Sequence, residues 1–204
     1  MQGNGQGSGN GHSHEHGHHH HHHHHHGEGG GTADAATSVP EQHKARAPSY
    51  AKVYLVTCSD SRSAKTDDSG RFMRDRLAEL GHVHSGSAVI PDEPARILAQ
   101  LDLARAAGAQ VVLITGGTGI SQRDRTFEAV SAAIVRPLTG FGELFRALSY
   151  VEIGSAAMLS RATAGITKDG LVVFAMPGSP AAVRLACERL IFPELTHLIE
   201  ELAR

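Results

Sequence analysis

The run from Val111 to Ala129, VVLITGGTGISQRDRTFEA, constrains this chain more than any other stretch. Its first five residues, Val111 to Thr115, are apolar and rich in β-branched side chains, which predicts a strand covered on both faces. The run then breaks into Gly116-Gly117-Thr118-Gly119, where glycine lets the backbone take positive φ and lets a ligand approach closely. Arg123 and Asp124 follow, and Thr126, Phe127, Glu128 and Ala129 open a helix. Strand, glycine turn, charged pair and helix is the arrangement with which an open α/β sheet holds a ligand outside the carboxyl end of a strand. Peptide N–H groups in such a turn suit a polyanion or a metal-bound phosphate. The glycines match neither G-x-x-x-x-G-K-[ST] nor G-x-G-x-x-G, so a plain β-to-α turn with a salt-bridging Arg123 is the competing reading.

Around this stretch, about 156 of the 204 residues carry apolar periodicity, enough for one domain with a full core over 49–204. Residues 1–48 carry none and predict a disordered Gly/His-rich tail followed by a linker, with Pro40 and Pro48 as stops. Twelve of the 16 histidines lie between His12 and His26, nine of them in the unbroken run from His18. Neutral imidazoles in that number chelate Zn²⁺, Ni²⁺ or Cu²⁺, and both an affinity tag and a native metal-binding tail fit the composition. A net charge of −2 gives no sign of a nucleic-acid binder. No apolar run approaches the ~20 residues of a membrane span. The N-terminus lacks the pattern of a secretory signal, and Cys58 and Cys187 have neither CxxC nor zinc spacing. Together these predict a cytoplasmic protein with reduced thiols.

In chain order, Lys52–Cys58 predicts a first strand ending in Ser59-Asp60-Ser61-Arg62, where hydroxyls and an Arg could hold an anion or simply form a turn. Asp67, Asp68 and Ser69 offer N-caps for a helix to about Leu80, with Met73, Leu77 and Leu80 as its buried face. A second strand covers about His82 to Ile90, where His82 and His84 read as solvent-facing positions. Asp92 follows, and its simplest role is to cap the next helix, Glu93 to Ala107, which buries Ile97, Leu101 and Ala104. After the third strand, 126–136 predicts a helix stopped by Pro137. Gly140-Phe141-Gly142-Glu143 predicts a turn into a helix from Leu144, with Leu144, Leu148 and Val151 in apolar spacing. A short turn at Ser155–Leu159 leads to Ser160-Arg161. Lys168-Asp169-Gly170 joins strands at Ala162–Thr167 and Leu171–Ala175 as a hairpin. Met176-Pro177-Gly178-Ser179-Pro180 then leads into a final helix restarted at Pro193. This β-α-β-α-β-α order predicts a largely parallel sheet with helices on both faces.

In such a sheet the ends SDSR, PDE, TGGTG and PGSP share one edge. That edge would carry glycine N–H groups, serine hydroxyls, arginine, and the carboxylates of Asp92 and Asp124. Mg²⁺ often takes one or two carboxylates together with substrate phosphates, and both aspartates suit it. The constellation points to phosphoryl or nucleotidyl transfer. No Ser-His-Asp or Cys-His pair stands out, and His197 reads as structural or exposed.

The motifs SDSR, DDSG, TGGTG-x-x-x-RD-x-T-x-EA, GFGE, SRATAG and MPGSP, in this order across about residues 50–204, resemble the MogA/MoaB family of molybdenum cofactor biosynthesis, and its MoaB branch more than its MogA branch. The resemblance implies a three-layer αβα sandwich and a homotrimer or hexamer. It implies binding of molybdopterin and Mg-ATP, and adenylylation of the terminal phosphate of molybdopterin with release of pyrophosphate. The product would pass to a molybdate-inserting enzyme. The family's catalytic aspartates match Asp92 and Asp124, which would also hold Mg²⁺. Its binding positions match Ser59, Asp60, Arg62, Gly116, Gly117, Thr118, Gly119, Glu143, Ser160, Pro177, Gly178 and Ser179. Some MoaB-branch members lack the first aspartate; this chain retains both. The alternative is a catalytically inactive MoaB-like oligomer that binds pterin or nucleotide as a scaffold or regulator, with a metal-chelating tail.

Overall fold

The computed structural model describes residues 50–60, 63 and 65–204; the expected tail and linker, 1–48, and Arg62 lie outside them. Among the described residues six strands form one sheet in the order β2-β1-β3-β6-β5-β4. These are β1 (Lys52–Cys58), β2 (Val83–Ile90), β3 (Val111–Thr115), β4 (Ile134–Pro137), β5 (Thr163–Thr167) and β6 (Val172–Met176). β2, β1, β3 and β6 pair in parallel, while β5 is antiparallel to both β6 and β4. Only β5 therefore runs against the rest, as expected for a mostly parallel sheet.

The period of two along β1 sorts its side chains onto two cores. Val53 and Leu55 pack with Met73, Leu77, Phe141, Phe145, Val183, Ile191 and Leu195. Tyr54, Val56 and Cys58 pack with Ile97, Leu101, Ala104, Ala129 and Val130. Helices α1 (Asp68–Glu79), α4 (Thr139–Ile153), α5 (Pro180–Ala186) and α6 (Leu195–Ala203) thus cover one face, and α2 (Pro94–Ala106) and α3 (Thr126–Ala133) the other. This is the three-layer αβα sandwich. Every residue of β3 and of β6 is buried, which explains their unbroken apolar sequences.

Asp67 caps α1 by accepting from the Gly70 N–H at 2.9 Å. Met73 and Leu77 are buried as expected, but Leu80 is exposed because it is the C-cap, beyond the last turn that meets the sheet. α2 buries the expected Ile97, Leu101 and Ala104. The hairpin also forms as expected, with Gly170 N donating to Thr167 O at 3.0 Å.

Three expectations between 126 and 151 are corrected. The helix expected over 126–136 ends at Ala133, and Ile134–Pro137 is strand β4 on the sheet edge. β-branched Ile134 and Val135 favour the extended state, and an edge is where a sheet tolerates Pro137. The expected turn at 140–143 is instead the start of α4, which begins at Thr139. Gly142 belongs in that helix because a Cβ there would sit 2.6 Å from Ala162 O, so the glycine lets α4 lie against the chain entering β5. The buried face of α4 is Phe141, Gly142, Phe145 and Ser149, and Phe141 packs edge-on to Phe174 at 5.0 Å. Leu144 and Val151, on the spacing expected to be apolar, face outward. Past α5 the chain widens into a π-turn over Cys187–Ile191 and tightens at Phe192–Glu194. Pro193 lacks the N–H that would continue the α-helical ladder.

Candidate active site

The carboxyl ends of the parallel strands bring the expected segments to one edge. Ser59 N, just after β1, donates to Ile90 O at 2.8 Å, and Gly116 N, just after β3, donates to Met176 O at 3.0 Å. Ser59-Asp60, Pro91-Asp92, the glycine turn and Pro177-Gly178 therefore leave neighbouring strands side by side. The N-terminal end of β5 reaches the same edge because that strand is reversed, and it delivers Ser160 and Arg161.

The glycine turn takes φ +94° at Gly116 and +62° at Gly117. At Gly117 the restriction is also spatial: an added Cβ would collide with the Asp92 carboxylate and with Thr126 Oγ1. At Gly119 it would lie 2.8 Å from Asp124 Oδ2. Both candidate carboxylates thus approach the same four-residue turn, one at each end. Thr118 is buried beneath it, with its carbonyl accepting from Arg161 N at 3.1 Å.

Asp92 does not cap α2. The N-cap of that helix is Glu93, whose side chain makes no capping hydrogen bond. Instead Asp92 reaches α3: its Oδ1 accepts from Thr126 Oγ1 at 2.8 Å, and its Oδ2 accepts from Arg125 N at 3.1 Å. Asp124 Oδ2 accepts from Ser121 N at 2.9 Å and closes the turn that precedes α3. Both aspartates are part-buried and line adjoining hollows of about 410 Å³ each, which share Pro94, Gln122 and Arg125. Asp60 and Arg123 line the hollow of Asp92, and Arg161 and Glu128 that of Asp124.

Arg161 is a contact hub that its sequence position did not reveal. Its Nη2 donates to Asp124 O at 2.8 Å, its Nη1 pairs with Glu128, and its guanidinium lies 5.0 Å from the centre of the Phe127 ring. Burial raises the Glu128 pKa, but the hydrogen bond and charge of Arg161 outweigh it, and the carboxyl is held below its ordinary value. Thr126, a motif position to which the sequence assigned no role, is fully buried at the junction of Asp92 and Gly117.

Other expected site residues lie further along the edge. Glu143 and Ser160 line a third hollow of about 430 Å³ with Phe127, Arg146 and Met158. Ser179 is the N-cap of α5, accepting from Ala182 N at 3.3 Å, and Pro177-Gly178-Ser179 lines none of these three hollows. Cys58 sits under the glycine turn. Burial pushes its thiol up to about 12, a hydrogen bond with Thr126 lowers it in part, and the charge of Asp92 raises it further.

The donor chemistry suits a hard cation. Among the described residues no group of three or more His, Cys, Asp or Glu could form a protein cage. Two oxygen-only carboxylates beside a glycine turn fit Mg²⁺ shared with substrate phosphates.

Three comparisons with known proteins point to one family. The profile of a family described as "Probable molybdopterin binding domain" matches residues 54–197. A "Molybdenum cofactor biosynthesis protein B" from Bacillus anthracis is 48% identical over 165 residues, covering 80% of this chain and 97% of that protein. The crystal structure of tungsten cofactor synthesizing protein MoaB from Pyrococcus furiosus superposes with a TM-score of 0.71 at 38% identity, over 78% of this chain and 100% of that one. The molybdopterin biosynthesis Mog protein from Mycobacterium ulcerans superposes with a TM-score of 0.68 at 25% identity, over 76% and 99%.

Proposed function

The chain belongs to the molybdopterin-binding family of molybdenum cofactor biosynthesis, and from that premise we propose that it is a Mg-ATP-dependent molybdopterin adenylyltransferase. In the proposed reaction an oxygen of the terminal phosphate of molybdopterin attacks the α-phosphorus of ATP. A new P–O bond forms, the bond from the α-phosphorus to the bridging oxygen breaks, and that electron pair leaves with pyrophosphate. The attacking phosphate is already ionised at neutral pH, so no side chain need remove a proton. The task left to the protein is positioning and charge stabilisation.

The observation that carries this reading is the approach of two carboxylates to one glycine turn, Asp92 against Gly117 and Asp124 against Gly119. In this reading turn N–H groups other than that of Gly116, which is held by Met176 O, donate to phosphate oxygens, and Arg123 and Arg125 at the adjoining hollows supply positive charge. Asp92 and Asp124 would hold Mg²⁺. When bound, the ion neutralises triphosphate charge. Ser59, Asp60, Arg62, Glu143, Ser160 and the Pro177-Gly178-Ser179 loop complete the proposed contacts to nucleotide and pterin.

The reading includes self-association as a homotrimer or hexamer. Val151 is 83% and Met158 77% exposed, close in sequence to exposed Leu144, Tyr150, Ile153 and Leu159 on α4 and the turn after it. So many large apolar groups on one helix and its exit favour burial against further copies. It also includes a cytoplasmic location, where ATP is available and buried Cys58 and Cys187 stay as free thiols, and transfer of the product to a molybdate-inserting enzyme.

One observation favours a second reading. Both oxygens of Asp92 already accept hydrogen bonds that hold the start of α3, so the aspartate could be retained as a cap in a non-catalytic, pterin-binding oligomer. Pyrophosphate release from purified molybdopterin and Mg-ATP separates the two. Release that requires both substrates supports the adenylyltransferase. Molybdopterin binding without pyrophosphate above the ATP-only control supports the scaffold.

A further inference from the structure

Thr126 joins the ends of two strands. Its hydroxyl donates to Asp92 Oδ1 at 2.8 Å, just past β2. Its N–H donates to Gly117 O at 3.1 Å, just past β3. The side chain is 0% exposed. A hydroxyl has one proton to give and lone pairs to receive. Here that proton goes to the Asp92 carboxylate. With Arg125 N on Oδ2, both oxygens of Asp92 are held and the carboxylate plane is set. Gly117 presses on the pair from the other side, since any Cβ there would strike both groups.

We propose that Thr126 is the positioning residue of the candidate metal site, its buried hydroxyl holding the Asp92 carboxylate in one orientation so that a divalent cation and nucleotide meet a preorganised ligand. This rests on the adenylyltransferase reading for its effect on turnover; its effect on cation binding stands apart from that reading. Groups that orient a metal-binding side chain typically contribute ~10–100-fold to metal affinity. Valine keeps the shape and β-branching of Thr126 but has no proton to donate. Serine keeps the proton.

The test uses the full chain as wild type, Thr126→Val, Thr126→Ala and Thr126→Ser. Mn²⁺ is titrated in the presence of the non-cleavable α,β-methylene analogue of ATP, followed by water-proton relaxation. An Asp92→Ala chain defines binding elsewhere, including the histidine run. Circular dichroism and melting identify the variants that fold. The expected result is Mn²⁺ binding ~10–100-fold weaker in Thr126→Val and Thr126→Ala, with Thr126→Ser within about threefold of wild type. In the pyrophosphate assay the Mg²⁺ concentration for half-maximal rate rises and kcat falls, while KM for ATP changes little. Wild-type Mn²⁺ affinity in a folded Thr126→Val or Thr126→Ala chain overturns the inference, as does wild-type binding no tighter than that of Asp92→Ala. Site-specific Mn²⁺ binding that is weakened by Thr126→Val in a protein releasing no pyrophosphate supports the inference and instead sinks the adenylyltransferase reading.

Discussion

The backbone N–H of Arg161 donates to the carbonyl of Thr118 at 3.1 Å, tying the segment that enters β5 to the glycine turn that leaves β3. The side chain of Arg161 then spans the whole approach to α3, through Asp124 O, Glu128 and the Phe127 ring. With these partners it acts as a brace beneath the turn rather than as an arginine offered to phosphate. Arg161→Met is expected to destabilise the protein by about 1–2 kcal/mol, because a part-buried charged hydrogen bond is lost. It should lower turnover by displacing Asp124. Glu128→Gln should stay within about 0.5 kcal/mol of wild type, since that carboxylate is largely exposed. Denaturant unfolding of both variants, with pyrophosphate release, checks the contrast.

Asp92→Asn and Asp124→Asn should each lower metal-assisted turnover by about 10²-fold, the scale of losing one preorganised charge-stabilising group. Asp92→Asn should still fold, because an amide can accept from Arg125 N and donate to the Thr126 oxygen. Asp92→Ala should in addition lose about 1–2 kcal/mol, as the start of α3 loses its cap. Full turnover in either Asn variant would remove that residue from the proposed catalytic pair.

Gly117→Ala introduces two penalties at once, a β-carbon at φ +62° and a collision with Asp92 and Thr126. We expect a loss of about 1–3 kcal/mol and a loss of activity larger than the stability change explains. A melting curve close to that of wild type would show that the turn is less constrained than the structure describes.

Acid sensitivity should arise at the opposite end of β1. His82 Nδ1 accepts from Ala51 N at 3.3 Å, and burial holds its pKa below 6.5. A folded pKa below the unfolded one means that the unfolded chain takes up the proton first. The related stability is therefore complete above about pH 6.5 and is lost as pH falls through the lowered folded value. His84, lowered by burial and by Arg74, acts in the same direction. His82→Gln should melt with a smaller difference between pH 7.5 and pH 5.5 than wild type; an unchanged difference would exclude His82 as a source.

The exposed apolar surface predicts assembly. Val151→Glu combined with Met158→Glu should shift the protein to monomers in sedimentation velocity, with the far-ultraviolet spectrum preserved. Unchanged sedimentation would place the contact between copies elsewhere.

Much of this architecture was readable from local pattern. Lys52–Cys58 and Val111–Thr115 form strands with the expected bounds, because apolar, β-branched runs between turn residues leave few alternatives. The edge strand Ile134–Pro137 was not readable, since Ile134 to Arg136 follow directly on a helical pattern and their β-branched pair is too short to mark a strand without the pairing to β5. The helical start of α4 was hidden by Gly140 and Gly142, and Gly142 is explained by the nearness of Ala162 O. At the candidate site, residue types at strand ends pointed to Asp92 and Asp124. The bonds around them join positions 33 to 37 apart in sequence, from Asp92 to Arg125 and Thr126 and from Arg161 to Asp124 and Glu128. No local pattern encodes such pairs, so the contacts of Thr126 and Arg161, though both stand in the motifs, emerged only once the chain was folded.

The reversed direction of β5 has a consequence for how this rim can change. β3 and β6 each lend the rim the residues after their last position, whereas β5 lends it those before its first. An insertion just before Ser160 would therefore remodel the approach to that wall while Arg161 stayed tied to Thr118 and Asp92 to the start of α3. One side of the cleft is free to drift toward a new guest while the other keeps its grip.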